Sequence, residues 1–151
     1  MRHALAPGTG DPSDFKLRDC ATQRNLSGQG RAQAVNAGEM LRQAGITIDH
    51  LWSSQWCRCL DTASQMKMGP VIEQPALNSF FRNRGNEPVQ SAEIRRQLAA
   101  LPAEETAFGV THQVNITALT GRGVSSGEIF VLRVSESGDL TTLARVQVPL
   151  G

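Results

Sequence analysis

Ile46-Thr47-Ile48-Asp49-His50-Leu51-Trp52-Ser53-Ser54-Gln55-Trp56-Cys57-Arg58-Cys59-Leu60-Asp61-Thr62-Ala63 is the stretch that decides the fold. Its first part carries Ile48, Leu51 and Trp52 and reads as a short strand over 46–53. Ser53-Ser54 ends that strand. Residues 56–67 then read as a helix, closed by Gly69-Pro70. A strand that turns directly into a helix is the repeating unit of a layered α/β domain.

Working outward, the same alternation continues on both sides. Upstream, Ser27 is an N-cap candidate for a helix over 28–44, which carries Ala32, Ala34, Val35, Ala37, Met40 and Leu41, partly at helical spacing. Gly45 suits its end. Downstream, Val71-Ile72 suggests a second short strand. Residues 77–90 are polar and irregular and read as a loop. Residues 90–101 form a helix with Ile94, Leu98 and Leu101 on one face, and Pro102 ends it. Phe108-Gly109-Val110 is a strand, and a further helix opens near Asn115. Segments 128–135 and 140–150 alternate around the turn Ser137-Gly138-Asp139 and predict a hairpin. The expectation is one α/β domain over 1–151: a three-layer sandwich, with a mostly parallel sheet flanked by helices and a C-terminal hairpin. Ligands of such sheets sit at the carboxyl ends of strands.

Composition narrows the function classes. The chain has 151 residues, 40% hydrophobic and 19% charged, with a formal net charge of +1. That balance argues against nucleic acid or an acidic membrane as a bulk electrostatic partner. No apolar run reaches the roughly 18 residues of a membrane span. The three cysteines, Cys20, Cys57 and Cys59, are expected to be free thiols. A bridge from Cys20 to Cys57 or Cys59 is the second reading. Zinc is a remote third, because Cys-x-Cys is not the usual zinc spacing.

Three histidines occur, His3, His50 and His112. His3 follows Arg2, His112 follows Thr111 at a strand end, and Arg58 follows the Ser53-Ser54 turn. Together with four motifs in order, they carry a resemblance. Arg2-His3-Ala4 resembles the Arg-His-Gly signature of the histidine phosphatase superfamily. Leu26-Ser27-x-x-Gly30-x-x-Gln33-Ala34 is similar to its helix motif. Ser53-Ser54-x-x-x-Arg58-x-x-x-Thr62-Ala63 resembles its arginine element, and Val110-Thr111-His112 its second histidine.

The resemblance implies a phosphohydrolase in which His3 accepts the phosphoryl group, while Arg2, Arg58 and His112 bind its oxygens. Charge on those oxygens makes such catalysis chiefly a matter of positioning and electrostatics. Gln113 and Asn25 are expected to help bind substrate. The acid is open: Glu73 and Glu87 are the candidates, Asp11 a weaker one, and Gln113 follows His112 where some members carry an Asp. The expected substrate is a phosphorylated small molecule or a phosphoprotein, including phosphohistidine, with no metal and no cofactor. A phosphoglycerate-type mutase and a non-catalytic phosphate-binding module are the alternatives.

The resemblance also implies a core strand ending at Arg2-His3. Met1 alone precedes that pair here, so the usual first strand is expected to be lacking and its neighbours to show unpaired backbone groups. A form extended upstream by about six residues, a usual strand length, is expected to be more stable and more active. Location is expected to be cytoplasmic, or periplasmic if a signal segment precedes Met1. Ala4 in place of Gly is expected to be tolerated unless its φ is positive.

Overall fold

The computed structural model describes residues 1–150. Helix α1 spans Gly28–Gln43 and starts where expected: the Ser27 hydroxyl accepts from the Gly30 amide at 3.0 Å. Strand β1 (His50–Ser53) leads into α2 (Cys57–Met66). Then follow β2 (Val71–Glu73), α3 (Glu87–Ala99), β3 (Ala107–Val110) and α4 (Gln113–Thr120). The hairpin strands β4 (Glu128–Val134) and β5 (Leu140–Gln147) close the order.

Two expected boundaries shift for local reasons. The strand begins at His50 rather than Ile46, because its backbone pairing with β3 begins at His50–Ala107 and Asp49 instead accepts the Thr106 amide at 2.8 Å. Helix α3 begins at Glu87 rather than Gln90, since Pro88 sits in its first turn, where a missing N–H costs nothing. The segment before it is not wholly irregular: 3₁₀ turns form at Pro75–Leu77 and Arg84–Asn86. In the hairpin, the adjacent apolar pair Val131-Leu132 breaks the period of two. The register slips between these residues, and Val131 faces outward.

The three parallel strands lie in the order β2-β1-β3. Neighbouring residues of β1 point to opposite faces, as strand geometry requires. Leu51 packs with Ala37 and Leu41 of α1 and with Cys59, Ala63 and Met66 of α2. Trp52 packs on the other side with Leu77, Ile94, Leu98 and Leu119. Helices therefore cover both faces, and the fold is the expected α/β sandwich with its C-terminal hairpin.

Met1–His3 forms the seam between the parallel strands and the hairpin. The His3 amide donates to Thr111 O at 2.9 Å, and the Thr111 amide to Met1 O at 2.9 Å. On the other edge, the Arg2 amide donates to Glu128 O and the Gly127 amide to His3 O, both at 3.1 Å. Met1–His3 thus pairs on both edges, and the backbone groups of Thr111, Gly127 and Glu128 that face it are satisfied rather than unpaired. An apolar hollow of about 520 Å³ lies beside Met1, lined by Trp52, Leu77, Ile94, Phe108, Leu119 and Phe130.

The cysteines correct the free-thiol expectation. Cys20 and Cys57 form a disulfide with Cα atoms 5.7 Å apart, and Cys59 is the buried free thiol. The bridge takes Cys57 out of any Cys-x-Cys metal pair. Burial pushes the Cys59 thiol up to about 12, so it stays protonated.

Candidate active site

The quoted motifs build the site as scaffolding as well as chemistry. Gly30 lets α1 approach the chain after His3: a Cβ there would stand 2.0 Å from Leu5 O. Gln33 accepts the Leu5 amide at 3.0 Å and donates to Val148 O at 2.9 Å. Thr62 accepts the Ala4 amide at 3.0 Å and donates to Arg58 O at 2.7 Å, so one hydroxyl joins the His3 segment to the Arg58 turn. Ala4 is fully buried beside Ala6, Leu26 and Ala34. Its φ is not positive, and the methyl is accommodated as expected.

His3, Arg58 and His112 converge at the carboxyl ends of the strands, each no more than 3% exposed. Arg58 Nε donates to His3 Nε2 at 3.2 Å, and Arg58 Nη2 lies 3.4 Å from His112 Nδ1. The two imidazole centroids are 5.6 Å apart. His3 Nδ1 lies 2.8 Å from Ala4 O. A carbonyl can only accept, so Nδ1 carries the proton and Nε2 the lone pair. A guanidinium can only donate, so His112 Nδ1 accepts from Arg58 and its proton sits on Nε2, which donates to the Ser54 hydroxyl at 2.8 Å, that hydroxyl in turn donating to Asn78 Oδ1.

Charge and burial keep both rings neutral. Burial first, then the Arg58 charge, pushes His3 down to about 3, against the opposing pull of Ala4 O. Burial and the neighbouring His3 and Arg58 hold His112 well below the usual histidine range. Arg2 donates to Val124 O at 3.0 Å, while its Nε is buried with no partner. An unpaired guanidinium N–H in a buried place is costly and suits a site built to receive an anion.

These groups open into a cleft of about 810 Å³, lined by Arg2, His3, Arg58, His112 and Gln113. Glu87 stands on its lining at the start of α3, accepting the Ser91 hydroxyl at 3.0 Å. Glu73 is elsewhere: it faces Arg18 at 3.5 Å and accepts from Gln55 at 2.9 Å. Asn25 does not line the cleft either. Its amide instead donates to Cys20 O at 2.7 Å and Gln23 O at 3.1 Å, tying down the loop before α1. His50 pairs with Glu105 at 2.5 Å, away from the cleft.

Two residues are more central than the sequence suggested. Asp11 sits in the cradle, with Oδ1 2.7 Å from Arg58 Nη1 and Oδ2 3.2 Å from Nη2. Trp56 Nε1 donates to the same Oδ2 at 3.0 Å, and the Arg24 amide to Oδ1 at 3.1 Å. Arg24 itself lines the cleft and ties the loop by donating to Gly10 O at 2.7 Å and to Ala6 O. Its one sequence signal was its place just before the Leu26-Ser27 motif.

Fold and site together define a layered α/β protein that carries a buried cradle of imidazole and guanidinium groups at the ends of its parallel strands. The model of the histidine phosphatase superfamily (branch 1) matches residues 16–104. The chain belongs to that superfamily, and membership supports phosphatase activity as its general function.

Solved structures agree on the fold. The protein histidine phosphatase SixA in complex with tungstate is 16% identical, with a TM-score of 0.68 over 97% of this chain and 94% of that one. A SixA-type protein from Nakamurella multipartitia is 20% identical, with a TM-score of 0.67 over 98% and 93%. A mutant phosphoserine phosphatase from Entamoeba histolytica, in complex with phosphoserine, is 13% identical, with a TM-score of 0.63 over 95% and 93%. No curated protein sequence matches the chain.

Proposed function

We propose that the chain is a phosphohydrolase that works through a phosphohistidine on His3, acting on a small phosphomonoester or on phosphohistidine. The observation that carries this reading is the fixed tautomer of His3. Its Nδ1 proton is held by Ala4 O, and its Nε2 lone pair points at the Arg58 guanidinium, where a phosphoryl oxygen would bind. In the first step Nε2 forms a bond to phosphorus as the bond to the leaving group breaks. In the second, water takes the phosphoryl group and His3 is released.

Arg2, Arg58, His112 and Gln113 bind the phosphoryl oxygens in this scheme. An oxygen arriving at His112 Nδ1 favours a proton there, which turns that nitrogen from acceptor to donor. The guanidinium groups supply the positive charge that the transition state needs, so the proposed enzyme is metal-independent. The Cys20–Cys57 bridge favours an oxidising compartment over the cytoplasm.

The test is turnover of p-nitrophenyl phosphate by the native chain and by His3→Ala. Loss of at least roughly a thousandfold in kcat is expected, as for removal of other covalent nucleophiles. An acid-labile phosphoenzyme should form on the native chain alone. Native-like turnover by the variant would overturn the proposal. Tungstate binding without turnover by the native chain would favour a phosphate-binding module instead.

A further inference from the structure

We propose that Asp11 is the proton donor to the leaving group, and that the incoming phosphoryl group loads it by displacing it from Arg58. This rests on the phosphatase reading of the same cradle.

The argument starts from the donors of Arg58. A guanidinium has about five N–H bonds, and here each has an acceptor. Nε donates to His3 Nε2 at 3.2 Å. Nη1 donates to Asp11 Oδ1 at 2.7 Å and to Arg24 O at 3.3 Å. Nη2 faces Asp11 Oδ2 at 3.2 Å and His112 Nδ1 at 3.4 Å. No donor is left for a phosphoryl oxygen, so binding is an exchange. Asp11 is the partner suited to leave. It is an anion in the place of an anion, and it is carried by a loop rather than by a strand or helix.

The exchange changes the chemistry of the carboxylate. Burial alone would push its pKa up, but the bonds and charge of Arg58, with the Arg24 amide and Trp56, hold it below the usual carboxylate range. Displacement removes the Arg58 bonds and puts a phosphoryl dianion beside it. Both changes favour the protonated acid. The groups that face this region are Arg24 from the same loop, Arg58 from α2 and Arg82, whose guanidinium donates to the Asp11 and Pro12 carbonyls. Arg84, Glu87, His3 and His112 complete the lining. Arg82 holds the backbone at Asp11, so the side chain can swing while the loop stays close.

The steps balance. As His3 Nε2 bonds to phosphorus, the ester oxygen departs and takes the Asp11 proton, leaving a carboxylate. That carboxylate then takes a proton from the attacking water, the Nε2–P bond breaks, and phosphate leaves. Glu87 is the rival donor, but it stands at the start of α3 and has no bond to any cradle group, whereas Asp11 already touches Arg58.

The experiment compares the native chain, Asp11→Asn and Glu87→Gln on aryl phosphates of differing leaving group. A missing acid matters when the departing oxygen is basic and hardly at all when it is not. Asp11→Asn should lose about a hundredfold or more in kcat/KM on phenyl phosphate, yet less than about fivefold on dinitrophenyl phosphate. It should also lose the basic limb of the pH profile. Calorimetry of sulfate binding at pH 6 in two buffers of different ionisation enthalpy should show proton uptake that is smaller in Asp11→Asn than in the native chain. Retained turnover of dinitrophenyl phosphate shows that the variant is folded. A uniform loss across the series, full proton uptake in Asp11→Asn, or the selective loss appearing in Glu87→Gln instead would overturn the proposal. If the native chain hydrolyses dinitrophenyl phosphate and His3→Ala does not, the phosphatase reading stands whatever Asp11 does. If the native chain does not hydrolyse it, both fall.

Discussion

At the scale of single residues, the site is a set of groups whose charges are controlled by burial. Two imidazoles are kept neutral where an unfolded chain would protonate them. An unfolded histidine titrates near pH 6.5, whereas folded His3 does so at about 3 and His112 also well below the usual value. Below pH 6.5 the unfolded state therefore binds more protons, and stability falls as pH falls. For His3 the expected loss is up to about 1.4 kcal/mol per pH unit from pH 6.5 down towards its folded value of about 3, and His112 contributes a loss of the same sign. Urea unfolding across this range, in the native chain and in His112→Asn, checks the sign: the variant should show the shallower dependence. His3, Arg58 and His112 were legible in the sequence because they sit in motifs at element ends. Asp11 and Arg24 lie in a loop of Gly, Pro and Asp, where no periodicity marks which side chain turns inward.

At the scale of elements, small residues set the spacing of α1 and α2. A Cβ on Gly38 would lie 1.9 Å from Met66 O, which is backbone and cannot swing aside. In an exposed helix, Gly→Ala gains about 1 kcal/mol from propensity. Here the helices must separate, and overpacking of this kind costs about 1–3 kcal/mol. Gly38→Ala is therefore expected to lower stability, by a net amount of up to about 2 kcal/mol, measured as a lower midpoint of urea unfolding. The helices themselves were readable from capping and period: Ser27 starts α1, and Ile94 and Leu98 mark the inner face of α3. The strand boundaries were less so. Ile46 and Ile48 have strand character, but pairing with β3 begins at His50, and no local signal carries that.

At the scale of the whole molecule, the alternation of strands and helices was enough to predict the sandwich, since each amphipathic element has to bury a face. Cysteine pairing was not legible, because spacing alone does not say which thiols meet in space. The Cys20–Cys57 bridge spans a sequence separation of 37 and fastens the loop that carries Asp11 and Arg24 to the first turn of α2. A loop of that size implies about 3–4 kcal/mol of stability in the chain-entropy account. Reduction, or Cys20→Ser with Cys57→Ser, should lower the unfolding midpoint accordingly, and an unchanged midpoint would contradict this.

The pairing of residues 1–3 has one further result. The segment is hydrogen-bonded to Thr111 on one edge and to Gly127 and Glu128 on the other. A fluctuation that peels the hairpin away must break the same bonds that hold His3 in place. Fraying of the C-terminal strands and release of His3 are thus one cooperative event, and the lifetime of the closed seam bounds how long the cradle stays assembled.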